Sequence, residues 1–135
     1  MDQIEQKLWE SYRESYKQNM GLYPEVDEYM DTFIRENDPE FVTQCQGLMY
    51  HLWSSMIDVC KNPENELYPK YGGRGLRIHP PWLEPTVGLI HFIYDVKFPE
   101  QITDSLVLID EMDDFYPHNI KWVRNKIEIN DDDDD

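Results

Sequence analysis

Ser105-Leu106-Val107-Leu108-Ile109-Asp110-Glu111-Met112-Asp113-Asp114-Phe115-Tyr116-Pro117-His118-Asn119-Ile120-Lys121-Trp122 is the stretch that sets the fold class. Residues 105–110 form a short apolar, partly β-branched run with polar ends, the pattern of a buried strand. Residues 112–117 read as an acidic turn closed by Pro117. From Asn119 to Asn130 the alternation Lys126-Ile127-Glu128-Ile129 is strand-like, yet the expectation for this last element is a helix.

Upstream the pattern is helical. Thr86 can cap a helix whose core face is Val87, Leu89, Ile90, Ile93 and Tyr94, ending before Pro99. Residues 62–85 carry glycines and prolines around a short strand at 76–78 and read mostly as loop. Asp38 followed by Pro39 is a strong helix start, and Phe41, Val42, Cys45, Leu48, Met49, Leu52, Trp53, Met56 and Ile57 keep helical spacing to about Lys61. Pro24 opens a shorter helix with Val26, Tyr29, Met30, Phe33 and Ile34 inward and an acidic outer face. Ile4, Leu8, Tyr12, Tyr16 and Met20 recur every fourth residue, one stripe of a helix that Gly21 can end.

The expected architecture is therefore α+β. Three N-terminal helices precede a short two-stranded element and a closing helix, with Trp53, Trp82 and Trp122 gathered as an aromatic core. Residues 1–44 are expected as an acidic helical extension, residues 45–130 as the main domain, and residues 131–135 as a disordered acidic tail.

Composition narrows the function classes. The 135 residues carry a formal net charge of −16. Residues 1–44 contribute −7 and the five terminal aspartates −5, so the acid is concentrated at the two ends. Such a surface repels phosphates and anionic lipid, and favours basic protein surfaces or plain solubility. Cys45 and Cys60 lie 15 residues apart on one helix, roughly 22 Å along its axis, too far to bridge. Neither has zinc-ligand spacing, so free thiols in a reducing compartment are expected. With neither a basic apolar leader nor a long apolar run, a soluble cytoplasmic location is expected.

Three pieces in the second half carry a family resemblance. The first is Leu52-Trp53-Ser54-Ser55-Met56-Ile57-Asp58-Val59-Cys60-Lys61-Asn62-Pro63. The second is Tyr68-Pro69-Lys70-Tyr71-Gly72-Gly73-Arg74-Gly75-Leu76-Arg77-Ile78, followed by Trp82. The third joins Leu106-Val107-Leu108-Ile109-Asp110 to Tyr116-Pro117-His118-Asn119-Ile120-Lys121-Trp122. In order and spacing they resemble the small HNH or homing-type endonuclease-like proteins of bacteriophages, over residues 48–130. That family has a Trp-x-x-Met-x-x-Arg-Cys-x-Asn-Pro helix end, a Tyr-Gly-Gly-Arg-Gly-Ile string, a Leu-Asp-Arg-Ile-Asp strand and a Tyr-x-Pro-x-Asn-x-Arg-Trp segment. The resemblance implies a small ββα element and, for a phage-encoded chain, the host cytoplasm.

The resemblance also implies where chemistry would sit. HNH catalysis needs a histidine to activate water, an asparagine to hold it and a divalent metal at the leaving oxygen. Val107 and Leu108 stand where relatives carry Asp followed by His or Arg, and neither accepts a proton nor ligates a metal. Asp110, Asn119 and Asn130 remain at matching positions, so the element reads as degenerate. The remaining catalytic candidates are His118, Asn119 and Asp110, and the metal candidates are Asp110, His118 and Asn130. His79 and His91 can in principle converge with Asp110 or Asp113 on a metal, though capping or surface roles explain them equally, as they do His51.

Tyr71, Gly72, Gly73, Arg74, Arg77, Lys121 and Arg124 are the candidate phosphate- or partner-binding residues. Arg74 can fork onto a phosphate or a carboxylate, while the glycines allow close approach; the alternative is a plain turn with Arg74 on an internal carboxylate. Lys70, Arg74 and Arg77, with Lys121, Arg124 and Lys126, form two basic clusters, a candidate nucleic-acid footprint.

Two functions follow, with a third that leaves no motif. One is a non-catalytic protein whose acidic face engages a basic protein or imitates the charge of DNA, with no cofactor. Its rival is a DNA endonuclease dependent on Mg or Mn, with His118 or His91 as substitute base. The third is a virion or assembly component.

Overall fold

The computed structural model describes residues 24–84 and 88–124. The architecture is α+β: helices α1 (Pro24–Glu36), α2 (Pro39–Lys61) and α3 (Gly88–Val96) precede an antiparallel pair, β1 (Ser105–Leu108) and β2 (Ile120–Val123). The expected first helix, the Thr86 cap and the acidic tail lie outside the described residues. No helix among those described is long and apolar enough to cross a membrane.

Local chemistry explains the helix ends. Asn37 donates its side-chain amide to the Phe33 carbonyl at the end of α1 (2.9 Å). Asp38 then accepts from the Glu40 and Phe41 backbone amides (3.0 and 3.4 Å), and Pro39 fills the first helical position. At the far end of α2, Asp58 accepts from the side chains of Asn62 (3.1 Å) and Asn65 (2.5 Å), so the chain leaves the helix in a defined direction. Lys97, at φ 72°, ends α3 in the left-handed conformation. Its ammonium lies over the rings of Tyr94 (3.6 Å) and Tyr29 (4.7 Å).

The core is one cluster shared by all three helices. Val26 and Met30 of α1 join Cys45, Met49 and Met56 of α2 and Leu89, Ile90, Phe92 and Ile93 of α3. Trp82 sits in the middle with no exposed surface. Its indole donates to Asp95 (2.9 Å), its carbonyl accepts from the Trp53 indole (2.8 Å), and Phe92 meets it edge to face. Trp122 donates to the Val96 and Lys97 carbonyls (3.2 and 3.1 Å). The three tryptophans thus belong to one core, with Trp82 its centre and the other two using their indole N–H groups to fasten neighbouring segments.

Two sequence expectations are corrected. Residues 120–123 form a strand and not the start of a closing helix. The pair of strands is β1 with β2, whereas residues 76–78 contribute only a bridge from Ile78 to Phe115. The physical reason is register: Leu106 lies opposite Trp122 and Leu108 opposite Ile120, so these side chains share the core face. Val107 lies opposite Lys121 on the outer face.

Trp82→Ala is expected to cost about 3–5 kcal/mol, read as a lower urea midpoint with an unchanged slope. The thiols supply a second expectation. Burial pushes Cys45 up to about 12 and Cys60 up to about 11, from an ordinary 9.0. The unfolded chain releases these protons first, so the stability from keeping them is complete below about pH 9 and is lost as pH rises through 11–12. Native protein should react slowly with a thiol reagent at pH 8, and a Cys45→Ala, Cys60→Ala variant should show a flatter alkaline decline. Identical declines in both proteins would remove the thiols as its cause.

Candidate functional site: the β hairpin and its groove

Asn119 organises the hairpin. Only 3% exposed, it donates its side-chain amide to the carbonyls of Asp110 (3.0 Å) and Asp114 (2.9 Å). Its Oδ1 accepts from the Asp110 amide (2.8 Å), and its backbone carbonyl accepts from the Ile109 amide (2.8 Å). Both amide protons are committed to the loop, so this residue acts as a clamp across residues 109–119. Asp104 and Arg124 close the other end of the hairpin, where the Arg124 Nε approaches the buried Asp104 carboxylate at 2.8 Å. That contact is a close charge pair and not an aligned hydrogen bond, since the Asp104 Oδ1 has no hydrogen-bond partner.

Of the sequence-derived catalytic and metal candidates, Asp110, His118 and Asn119 share this loop. They do not compose a ligand set. Asp110 turns Oδ1 to the Met112 amide (2.9 Å), His118 is exposed beside the Tyr116 ring, and the Asn119 amide is committed as above. Among the described residues no three or more His, Cys, Asp or Glu side chains gather where a metal ion would be held. Asp113 accepts from the Tyr116 hydroxyl (2.9 Å), and this bond, with the carboxylates around it, raises the phenol above its usual range. Asn130 and Lys126 lie outside the described residues.

The glycine-rich string packs against the end of α2. A Cβ on Gly72 would come within 2.2 Å of the Cys60 carbonyl oxygen and 2.6 Å of the Tyr68 ring, so only glycine fits. Gly75, at φ 90°, takes the left-handed turn that follows. Tyr71 lies against Phe115, and residues 77–79 join the hairpin loop through Phe115 N to Arg77 O (2.9 Å) and His79 N to Phe115 O (2.7 Å).

Most candidate cations already have partners. Arg74 donates to the Lys70 carbonyl (3.1 Å) and the Met112 sulfur (2.7 Å). Arg77, 85% exposed, pairs with Asp114, whose Oδ1 also accepts the Arg77 amide (2.9 Å). Arg124 pairs with Asp104 and Glu100. Lys121 projects from the outer face of β2 and Lys70 is exposed. The structure brings Tyr71, Arg74 and Arg77 to the hairpin loop and sets Gly72 and Gly73 against Cys60 and Tyr68, while Lys121 stands on β2 and Arg124 directly follows it.

Sequence reasoning missed a groove of about 310 Å³ between α2 and β1. Leu52, Ser55 and Val59, one stripe of α2, line it on one side, and Leu106, Val107 and Leu108 of β1 also border it. Leu67 and Glu111 also line it, and Glu111 is the charged residue in the lining. Around it Ile109 (56%) and Met112 (73%) are exposed. The signal was present in Leu106-Val107-Leu108-Ile109, an unbroken apolar run where a half-buried strand would alternate. Compared with family models, curated proteins and solved structures, the chain gives no match.

Asn119→Ala is expected to cost about 2–3 kcal/mol, because three buried or half-buried backbone groups lose their partner. Asn119→Asp should do no better, since it turns an oxygen toward the two carbonyls. The check is a lower urea midpoint together with faster amide exchange at Asp110; native exchange in either variant would contradict the clamp.

Proposed function

We propose that the chain is a non-catalytic, HNH-like protein, phage-borne by its resemblance, that acts by binding and meets a basic protein surface with its acidic exterior. The observation that carries this reading is the pair Val107 and Leu108. At the strand position where hydrolysis would begin in the family it resembles stand two aliphatic residues, both at the margin of an apolar groove. Neither takes a proton from water, and loss of a general base removes a factor on the order of 10²–10⁴ in rate. Asn119, which in the family would hold the catalytic histidine, holds loop carbonyls instead.

Charge supports the same reading. The net charge of −16 opposes phosphate, and Arg77 and Arg124 are paired with carboxylates of this chain. A basic partner meets no such opposition, and the acidic outer face of α1, with Glu25, Glu28 and Asp31 exposed, is open to it.

Supercoiled plasmid incubated with the protein and magnesium or manganese should stay intact. Nicking that disappears in His118→Ala would replace this reading with the metal-dependent nuclease. Association with basic nucleic-acid enzymes should be measurable at low salt and weaken steeply at moderate salt. Absence of any salt-sensitive association would remove the binding function.

A further inference from the structure

The groove beside β1 has two properties that together define an occupant. The first is a strand edge with no partner strand among the described residues. Ile109 donates to the Asn119 carbonyl, continuing the register as a hydrogen-bonded pair. In an antiparallel ladder such pairs alternate, so Val107 and Ser105 bond to β2, while the N–H and C=O groups of Leu106 and Leu108 point the other way. Among the described residues β1 has no other neighbouring strand. The second property is the mostly apolar lining of the groove that β1 shares with α2. Leu52, Ser55 and Val59 recur at three and four residues along α2, a stripe about 10 Å long, while β1 spans about 13 Å. A cleft that combines backbone donors and acceptors with aliphatic side chains matches an extended peptide whose alternate residues are apolar.

Charge identifies the peptide further. Glu111 is the charge in the lining, and the exposed Glu66 and Asp110 adjoin the lining residues Leu67 and Glu111 in sequence. The nearby cation Arg74 is turned to the Lys70 carbonyl and the Met112 sulfur. A second copy of this chain would bring another −16 to the interface, which disfavours self-association through this edge. The remaining residues of the peptide are therefore cationic.

We propose that β1 and the groove beside it form a docking site for an extended, alternating apolar and basic segment of a partner protein, which adds to the β1 edge as a strand. This rests on the binding function proposed above and names the chemistry of the partner at that site.

The test uses a fluorescent decapeptide of alternating lysine and valine against the full chain, followed by anisotropy. Saturable binding is expected, at least tenfold tighter than for a glutamate-valine decapeptide. N-methylation of the residues on one parity, which blocks ladder hydrogen bonds, should weaken binding at least tenfold, and on the other parity it should change binding little. Ser55→Trp, which fills the groove from the α2 side without altering the buried core, should abolish binding while circular dichroism stays native. Glu111→Lys should weaken binding several-fold and flatten its salt dependence.

Binding that ignores both N-methylation and Ser55→Trp would overturn the docking site and leave only diffuse attraction by the acidic exterior. Absence of peptide binding, with salt-sensitive association to basic enzymes retained, would also overturn it while sparing the broader reading. A homodimer lost in Ser55→Trp would overturn it by showing a second copy in the groove.

Discussion

Burial of Trp82 is the constraint on which the remaining packing depends. It lies in a proline-rich segment with little regular structure of its own, yet its side chain is wholly enclosed. Enclosure is tolerable because the indole N–H has a carboxylate partner in Asp95, whereas a buried donor without one costs about 1–3 kcal/mol. The same residue offers its backbone carbonyl to Trp53 of α2 and its ring face to Phe92 of α3. Gly88 is forced by this proximity, since a Cβ there would come within 2.4 Å of the Trp82 oxygen. The start of α3 is thus placed by contact with Trp82, and α3 in turn presents the Val96 and Lys97 carbonyls that hold Trp122 of the hairpin.

The helices were legible because their signals are local. Asp38-Pro39 announces α2 within two residues, and its end at Lys61 is written in Asn62, whose side chain returns to Asp58. The hairpin was half legible. Residues 105–108 carry strand chemistry in their own composition, but Ile120–Val123 acquires it only by facing β1 in a register held by Asn119. No propensity of Ile-Lys-Trp-Val excludes a helix; a buried amide clamp acting across nine residues does.

The candidate site was legible in its identities and less so in its roles. Gly72 reads as freedom to approach a phosphate, and in the fold that closeness is to the Cys60 carbonyl and the Tyr68 ring. Arg77 and Arg124 read as a footprint, but carboxylates distant in sequence, Asp114 and Asp104, stand beside them. Charge pairing between residues 20 or more positions apart is invisible to a pass along the chain. Asn119 reads, through the resemblance, as the residue that would hold a catalytic histidine, and in the fold its side chain is bonded to its own loop. What it holds, two carbonyls and an amide of its own loop, is set by the loop's path.

The hairpin also separates the residues its folding depends on from those it leaves open. Folding demands on this element fall on Asn119, on the Asp104 and Arg124 pair, and on the core-facing Leu106, Ile120 and Trp122. None of these requires a particular residue at Val107, which lies opposite Lys121 and outside the clamp. An aliphatic residue there has a consequence of its own. With Ile109 and Met112 exposed beside it, Val107 adds to an apolar surface that folding leaves uncovered. Full burial of such a side chain is worth about 1.5–3 kcal/mol, and each forgoes the share that matches its remaining exposure. A folding requirement therefore does not account for the apolar run, so stability sets the frame of the hairpin without setting the character of its outer residues.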